Sequence, residues 1–161
     1  MSDSPLSEPH ILVINAGSST LKFAGFSKAH QYCLYRGILD QKGSNNTVEF
    51  RVDFNNNQHQ QTHETGLAVT PIINWLTTHD VLEHVMGIGH RVVHGGQRFT
   101  QPTLIDANVI EAIRNHSHFA PLHNPANLRA IENCIEHFNG VPQVAVFDTA
   151  FHQTMPPHSF L

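Results

Sequence analysis

Apolar positions along this chain recur with two different periods, and the change from one to the other organises it. Residues 11–15 form a short apolar run that ends in a polar residue, which reads as a buried strand. Ala16, Gly17, Ser18 and Ser19 then supply a turn, because glycine and serine tolerate tight backbone and leave amides free. Past it, Leu21, Phe23 and Gly25 alternate with Thr20, Lys22 and Ala24, which predicts a second, antiparallel strand over Thr20–Ser27. Residues 32–39 and 48–54 continue in the same style, with a turn over residues 43–46. Residues 55–63 are polar and rich in Asn and Gln, and they read as a loop or the irregular end of a hairpin.

Beyond residue 66 the period lengthens. Leu67, Ile72, Ile73 and Leu76 predict a helix to about residue 78. Pro71 either opens it behind a Thr70 cap or follows a turn that precedes a kink. Residues 85–94 return to strand character and end in Gly95 and Gly96; residues 106–115 look helical, with Val109, Ile110 and Ile113 on one face. Asn124 and Pro125 read as a helix cap and first turn, and Leu128, Ile131, Ile135 and Phe138 follow at helical spacing. Asn139, Gly140 and Pro142 end that helix. Residues 144–147 form a buried strand that delivers Asp148 at its carboxyl end. Early strands followed by interleaved helices and strands indicate an α/β domain with a mixed sheet. A length of 161 residues suits one domain, expected over residues 11–161 behind a polar tail at residues 1–10. The chain stops just after a strand and the Pro156-Pro157 pair without a closing element, so it reads as cut.

Composition narrows the partners. A 40% hydrophobic share is that of an ordinary globular protein, and a net charge of −4 gives no bulk attraction for nucleic acid or an anionic membrane. Local cations can still bind an anionic ligand. Residues 1–10 lack the basic start and apolar run of a signal peptide, and no apolar stretch approaches the ~20 residues of a membrane helix. A cytoplasmic protein is expected. Cys33 and Cys134 have no ligand-like spacing and read as reduced thiols. The fourteen histidines are scattered without an HExxH or Cys/His pattern, so most of them read as surface or loop residues rather than a metal centre.

Four stretches combine residue types suited to chemistry. The strand–turn–strand from Asn15 to Lys22 brings the small residues Gly17 and Ser18, the hydroxyl of Thr20 and the cation of Lys22 close together, as a phosphate requires. It is not a Walker loop, and no helix follows. Arg91, between apolar strand residues, needs an acidic partner or an anionic ligand; a structural ion pair explains it equally well. His123 precedes a helix N-terminus, where a neutral imidazole can approach anions. Asp148, at a strand's carboxyl end, lies where open α/β sheets place ligand-contacting groups, and it can hold Mg²⁺, act as a base or cap a turn. Together these are a phosphate cradle, cations on two sides and a carboxylate for a metal, the parts that phosphoryl transfer uses.

In order and spacing, INAGSSTLKF, GHRVVHGG, APLHNP and VAVFDTAFH resemble the motifs of the acetate kinase family, over residues 11 to about 157. The resemblance implies a ribonuclease-H-like domain with antiparallel first strands and flanking helices, as in sugar kinases, Hsp70 and actin, where nucleotide lies between two such domains. It implies transfer of the ATP γ-phosphate to acetate, giving acetyl phosphate and ADP with Mg²⁺, by a homodimer when full length. Asn15 would help place the Mg²⁺–phosphate group, with Gly17, Ser18 and Thr20 in the cradle and Lys22 on ATP phosphate. Arg91 would bind the carboxylate and the transferring phosphoryl, Val93 and Leu122 would line the acyl pocket, His123 would lie close by, and Asp148 would be the essential acid. Thr20 stands where many relatives carry serine, which keeps the hydroxyl. The family chain is more than twice as long, and its second half would hold a further arginine, a histidine and most of the adenosine site. The 161 residues alone are therefore expected to be inactive. Propionate or butyrate kinase is the near alternative, with Val93 narrowing the acyl pocket, and a non-catalytic binding or dimerisation fragment is the distant one.

Overall fold

The computed structural model describes residues 5–42, 47–64, 66–95, 99, 101–118, 121 and 123–148. The turn expected at 43–46, the tip after Gly95 and the chain past Asp148 lie outside those residues. Alternating apolar positions make strands β1 (His10–Ala16), β2 (Thr20–Ser27), β3 (Cys33–Gln41) and β4 (Val48–Phe54), each inward residue of which meets the core. They are followed by β5 (Asn57–His63), helix α1 (Thr70–Thr78), β6 (Val85–Val92), the two-residue β7 (Thr103–Leu104), α2 (Ala107–Asn115), α3 (Asn124–His137) and β8 (Gln143–Phe147). The sheet order is β5-β4-β3-β2-β1-β6-β8-β7. β1, β6 and β8 run parallel, while every other pairing is antiparallel. The two parallel steps need crossovers, which α1 and then α2 with α3 provide. This is the expected mixed α/β sheet with antiparallel first strands.

The three α-helices among the described residues bury their apolar sides against one face of the sheet. Ile72, Trp75 and Leu76 of α1 join Leu12, Ile14, Phe23, Tyr35, Leu39 and Phe50 in the larger core cluster. Val109 and Ile113 of α2 join Leu128, Ile131, Val92, Ala145 and Phe147 in the smaller. Apart from Leu34 and Val85, which lie near register shifts at the ends of β3 and β6, strand residues of the other parity belong to neither cluster, and Val13 and Val146 on that face are exposed.

Several local expectations are corrected. Residues 57–63 form a strand, joined to β4 through Asn55 and Asn56, whose positive φ values of 48° and 59° suit a two-residue hairpin turn. Both faces of this edge strand are largely exposed, so no apolar alternation marks it, and polar side chains keep the edge from pairing elsewhere. Its Gln58 and Gln60 donate to Asp53 (2.9 Å) and Glu49 (2.6 Å) across the hairpin. Val69, not Thr70, is the cap of α1, and Pro71 sits in its first turn. Cys134, not Ile135, completes the buried stripe of α3; Ile135 is exposed. His10 and His90 are buried rather than superficial. The stretch read as a polar tail contributes Leu6 to the core, and β1 starts at His10.

Candidate active site

Register sets the site. Lys22 of β2 is opposite Asn15 of β1, and Asn15 is opposite Arg91 of β6, so the three form one row across adjacent strands. Their neighbours in each strand point into the core, which turns all three onto the face that the helices leave open. Asp148 directly follows β8 and has the same parity as the exposed Val146, which is opposite Arg91. The carboxyl ends of the parallel strands therefore gather a lysine, an amide, a guanidinium and a carboxylate.

The contacts are specific. Arg91 Nε donates to Asp148 Oδ1 at 3.0 Å and Nη2 to Oδ2 at 2.7 Å, a two-pronged pair, while Nη1 donates to Asn15 Oδ1 at 3.3 Å. The Asp148 hydrogen bonds raise the guanidinium pKa beyond its ordinary value, so its charge is permanent. With the Arg91 side chain 52% exposed and Asp148 33%, the pair is not the buried ion bridge that a structural explanation required. Water screens it, so its contribution to stability is small and its main effect is to aim Arg91.

In the turn, the Gly17 amide donates to the Thr20 carbonyl at 2.7 Å, and a Cβ at Gly17 would stand 3.2 Å from that oxygen. The expectation that the turn leaves its amides free thus fails for Gly17, whose N–H closes the turn. The Ser19 carbonyl accepts from the Gln41 amide at 2.9 Å, and Ser18 and Ser19 are exposed at the tip. Thr20 is half-buried, and Lys22 is exposed. On the same face a cavity of about 390 Å³ is lined by Lys22, Arg36, Ile38 and Arg51.

Val93 directly follows β6, and the loop it opens is tied to α3. The Val93 amide donates to Asn127 Oδ1 at 3.2 Å, and the His94 amide to Asn124 Oδ1 at 3.2 Å. His123 is the exposed cap residue of α3. Asn124 was expected to be that cap; it is instead the first helical residue, fully buried, with its side chain turned to the β6 loop. Leu122 lies outside the described residues. The sequence reading made Asn124 only a cap and did not single out Asn127, although two amides in an otherwise apolar helical stripe were a visible sign of buried hydrogen bonds.

Three oxygens, Asn15 Oδ1 and both carboxylate oxygens of Asp148, accept from the Arg91 guanidinium. Such hard donors suit Mg²⁺, which takes one or two protein oxygens and completes its shell with water and phosphate. Among the described residues no group of three His, Cys, Asp or Glu could hold a metal unaided. No described helix is long and apolar enough to cross a membrane.

The site is thus an open α/β sheet that presents a guanidinium–carboxylate pair beside a Gly/Ser turn at its strand ends, where such sheets commonly place ligand-contacting groups. The family model of the acetokinase family matches residues 10–161, and the chain belongs to that family. It is 43% identical over 157 residues to the acetate kinase of Geobacillus kaustophilus (strain HTA426), covering 94% of this chain and 39% of that protein. The acetate kinase of Chromobacterium violaceum is 42% identical over 156 residues, with 94% and 38% covered. Among solved structures, a propionate kinase from Francisella tularensis superposes with a TM-score of 0.84 at 38% identity, and Porphyromonas gingivalis acetate kinase with 0.82 at 30%. Each comparison covers 92% of this chain and 39% of the other. The chain thus spans about two fifths of the length of the relatives it matches.

Proposed function

We propose that this chain supplies the carboxylate and phosphate side of a kinase that moves the γ-phosphoryl group of ATP to acetate, giving ADP and acetyl phosphate reversibly. The supporting observation is the row Lys22–Asn15–Arg91 with Asp148 aiming the Arg91 fork. An acetate oxygen attacks γ-phosphorus while the bond to the bridging oxygen of ADP breaks, and ADP keeps that electron pair. Acetate is already ionised at neutral pH, so no base has to remove a proton. Asp148 accordingly orients Arg91 and a metal rather than acting as a general base. Arg91 binds the carboxylate and offsets charge on the phosphoryl in flight; Lys22 and the turn with Gly17, Ser18 and Thr20 hold phosphate. Mg²⁺, held by Asn15 and Asp148, would neutralise the phosphate oxygens. Val93, Leu122 and His123 form the acyl side. The reading carries with it a cytoplasmic homodimer. Taken alone, the chain holds one side of the site and is expected not to turn over.

Propionate is the competing acceptor, because a propionate kinase is among the well-superposing structures. The β-branched Val93 favours the shorter acid. The test is Arg91→Ala in a polypeptide that carries this chain at the length of its relatives. Acetyl phosphate formation should show a raised KM for acetate together with a kcat lower by about 10²–10³-fold. Wild-type kinetics in that variant would remove Arg91 from the site.

A further inference from the structure

The buried stripe of α3 runs Asn124, Asn127, Ile131, Cys134, Phe138, with primary amides at its first two positions. Amides are buried in apolar surroundings only where their hydrogen bonds are met. Those of Asn127 join two separate pieces of the site. Its Nδ2 donates to the Ala16 carbonyl at 2.6 Å, and its Oδ1 accepts the Val93 amide at 3.2 Å. A carbonyl can only accept and a backbone N–H only donate, so the amide has one workable orientation. Asn124 acts beside it: Oδ1 accepts from the His94 amide at 3.2 Å, and Nδ2 donates to the His94 carbonyl at 2.9 Å and the Ile113 carbonyl at 3.3 Å.

The location of these bonds gives them their importance. Pairing between β1 and β6 ends at Asn15 opposite Arg91. Ala16 is the next residue of β1 and leads directly into the Gly17 turn; Val93 comes two residues after Arg91. Beyond the last paired residues, the sheet no longer sets the distance between turn and loop. Asn127 spans that gap.

We infer that Asn127 is a positioning residue that fixes the spacing between the phosphate turn and the Arg91–Val93 loop, with Asn124 holding His94 in the same manner. The inference rests on the kinase reading for what the spacing serves, though not for the clamp itself. Two measurements separate these. In hydrogen exchange of the chain, Asn127→Ala should speed exchange of the Val93 amide by about tenfold or more while leaving amides of the β1–β2 ladder protected. In the full-length polypeptide, the acetate-over-propionate ratio of kcat/KM should fall several-fold. Leu76→Ala, in the core of α1, serves as a control with a comparable loss of Tm and should keep the original ratio. If Asn127→Ala does not fold, Asn127→Asp keeps the volume while turning an anion toward the Ala16 carbonyl, and it should shift the ratio likewise. An unchanged Val93 exchange rate would overturn the clamp. A ratio no different from that of Leu76→Ala would reduce Asn127 to a structural residue. Absence of phosphoryl transfer by the unsubstituted polypeptide would sink the kinase reading, and exchange at Val93 would still decide whether the clamp exists.

Discussion

His90 and Arg91 are neighbours on β6 with opposite surroundings, since alternation sends one into the core and the other to the open face. Burial pushes the His90 pKa down to about 4 against the pull of its hydrogen bond to Gln143 Oε1 at 2.8 Å. The unfolded chain binds a proton near pH 6.5 that the fold refuses, so stability is lost as pH falls from about 6.5 toward 4. Between pH 7 and 5 this should amount to about 2 kcal/mol, and urea unfolding of His90→Gln should show a loss smaller by about that amount. Burial lowers the His10 pKa as well, which adds to the trend in both proteins. Asp148→Asn belongs to the exposed case: urea titration should show a stability change within about 1 kcal/mol, because the pair is open to water. Its effect should appear in turnover instead. Arg91 was legible from sequence because a cation among apolar strand residues demands an anion, but its partner 57 positions away was not.

At the level of elements, α3 shows how one-turn ambiguities are resolved. Ile131 and Ile135 occupy equivalent places in the helical pattern, yet Ile131 is fully buried between the sheet and α2 while Ile135 faces solvent. Ile131→Ala should cost about 2–5 kcal/mol in chemical denaturation and Ile135→Ala less than about 1. Equal losses would mean that α3 is rotated from this arrangement. In β2, a Cβ at Gly25 would come within 2.3 Å of the Tyr35 ring, which Tyr35 cannot leave without losing its 2.9 Å hydrogen bond to His10 Nε2. β5 was illegible for a related reason. An edge strand with two wet faces needs no apolar period, and only pairing with β4 reveals it.

For the molecule as a whole, one face of the sheet is core and the other carries the Lys22–Asn15–Arg91 row. On the proposed reading, a chain of net charge −4 would hold anions here only through local cations, and local fields are screened within about 8 Å at physiological salt. In a polypeptide of its relatives' length, the proposed affinity for ATP should therefore fall with added salt in calorimetry, and the dependence should be weaker in Lys22→Ala. In the same longer polypeptide, enlarging the proposed acyl side by Val93→Ala should shift kcat/KM toward propionate by about tenfold, the scale of one methylene. Apolar periods and turn residues were enough to place most strands, α2 and the bulk of α3, since local backbone preferences and the need to bury one face act over a few residues. The four motifs likewise marked Lys22, Arg91 and Asp148. Which of the remaining strands became neighbours, that Asn15 and Lys22 share a row with Arg91, and that Asn124 became a tie rather than a cap, with Asn127 tying beside it, depended on packing. Those outcomes come from contacts between residues distant along the chain, where register and burial outweigh anything a short window of sequence can express.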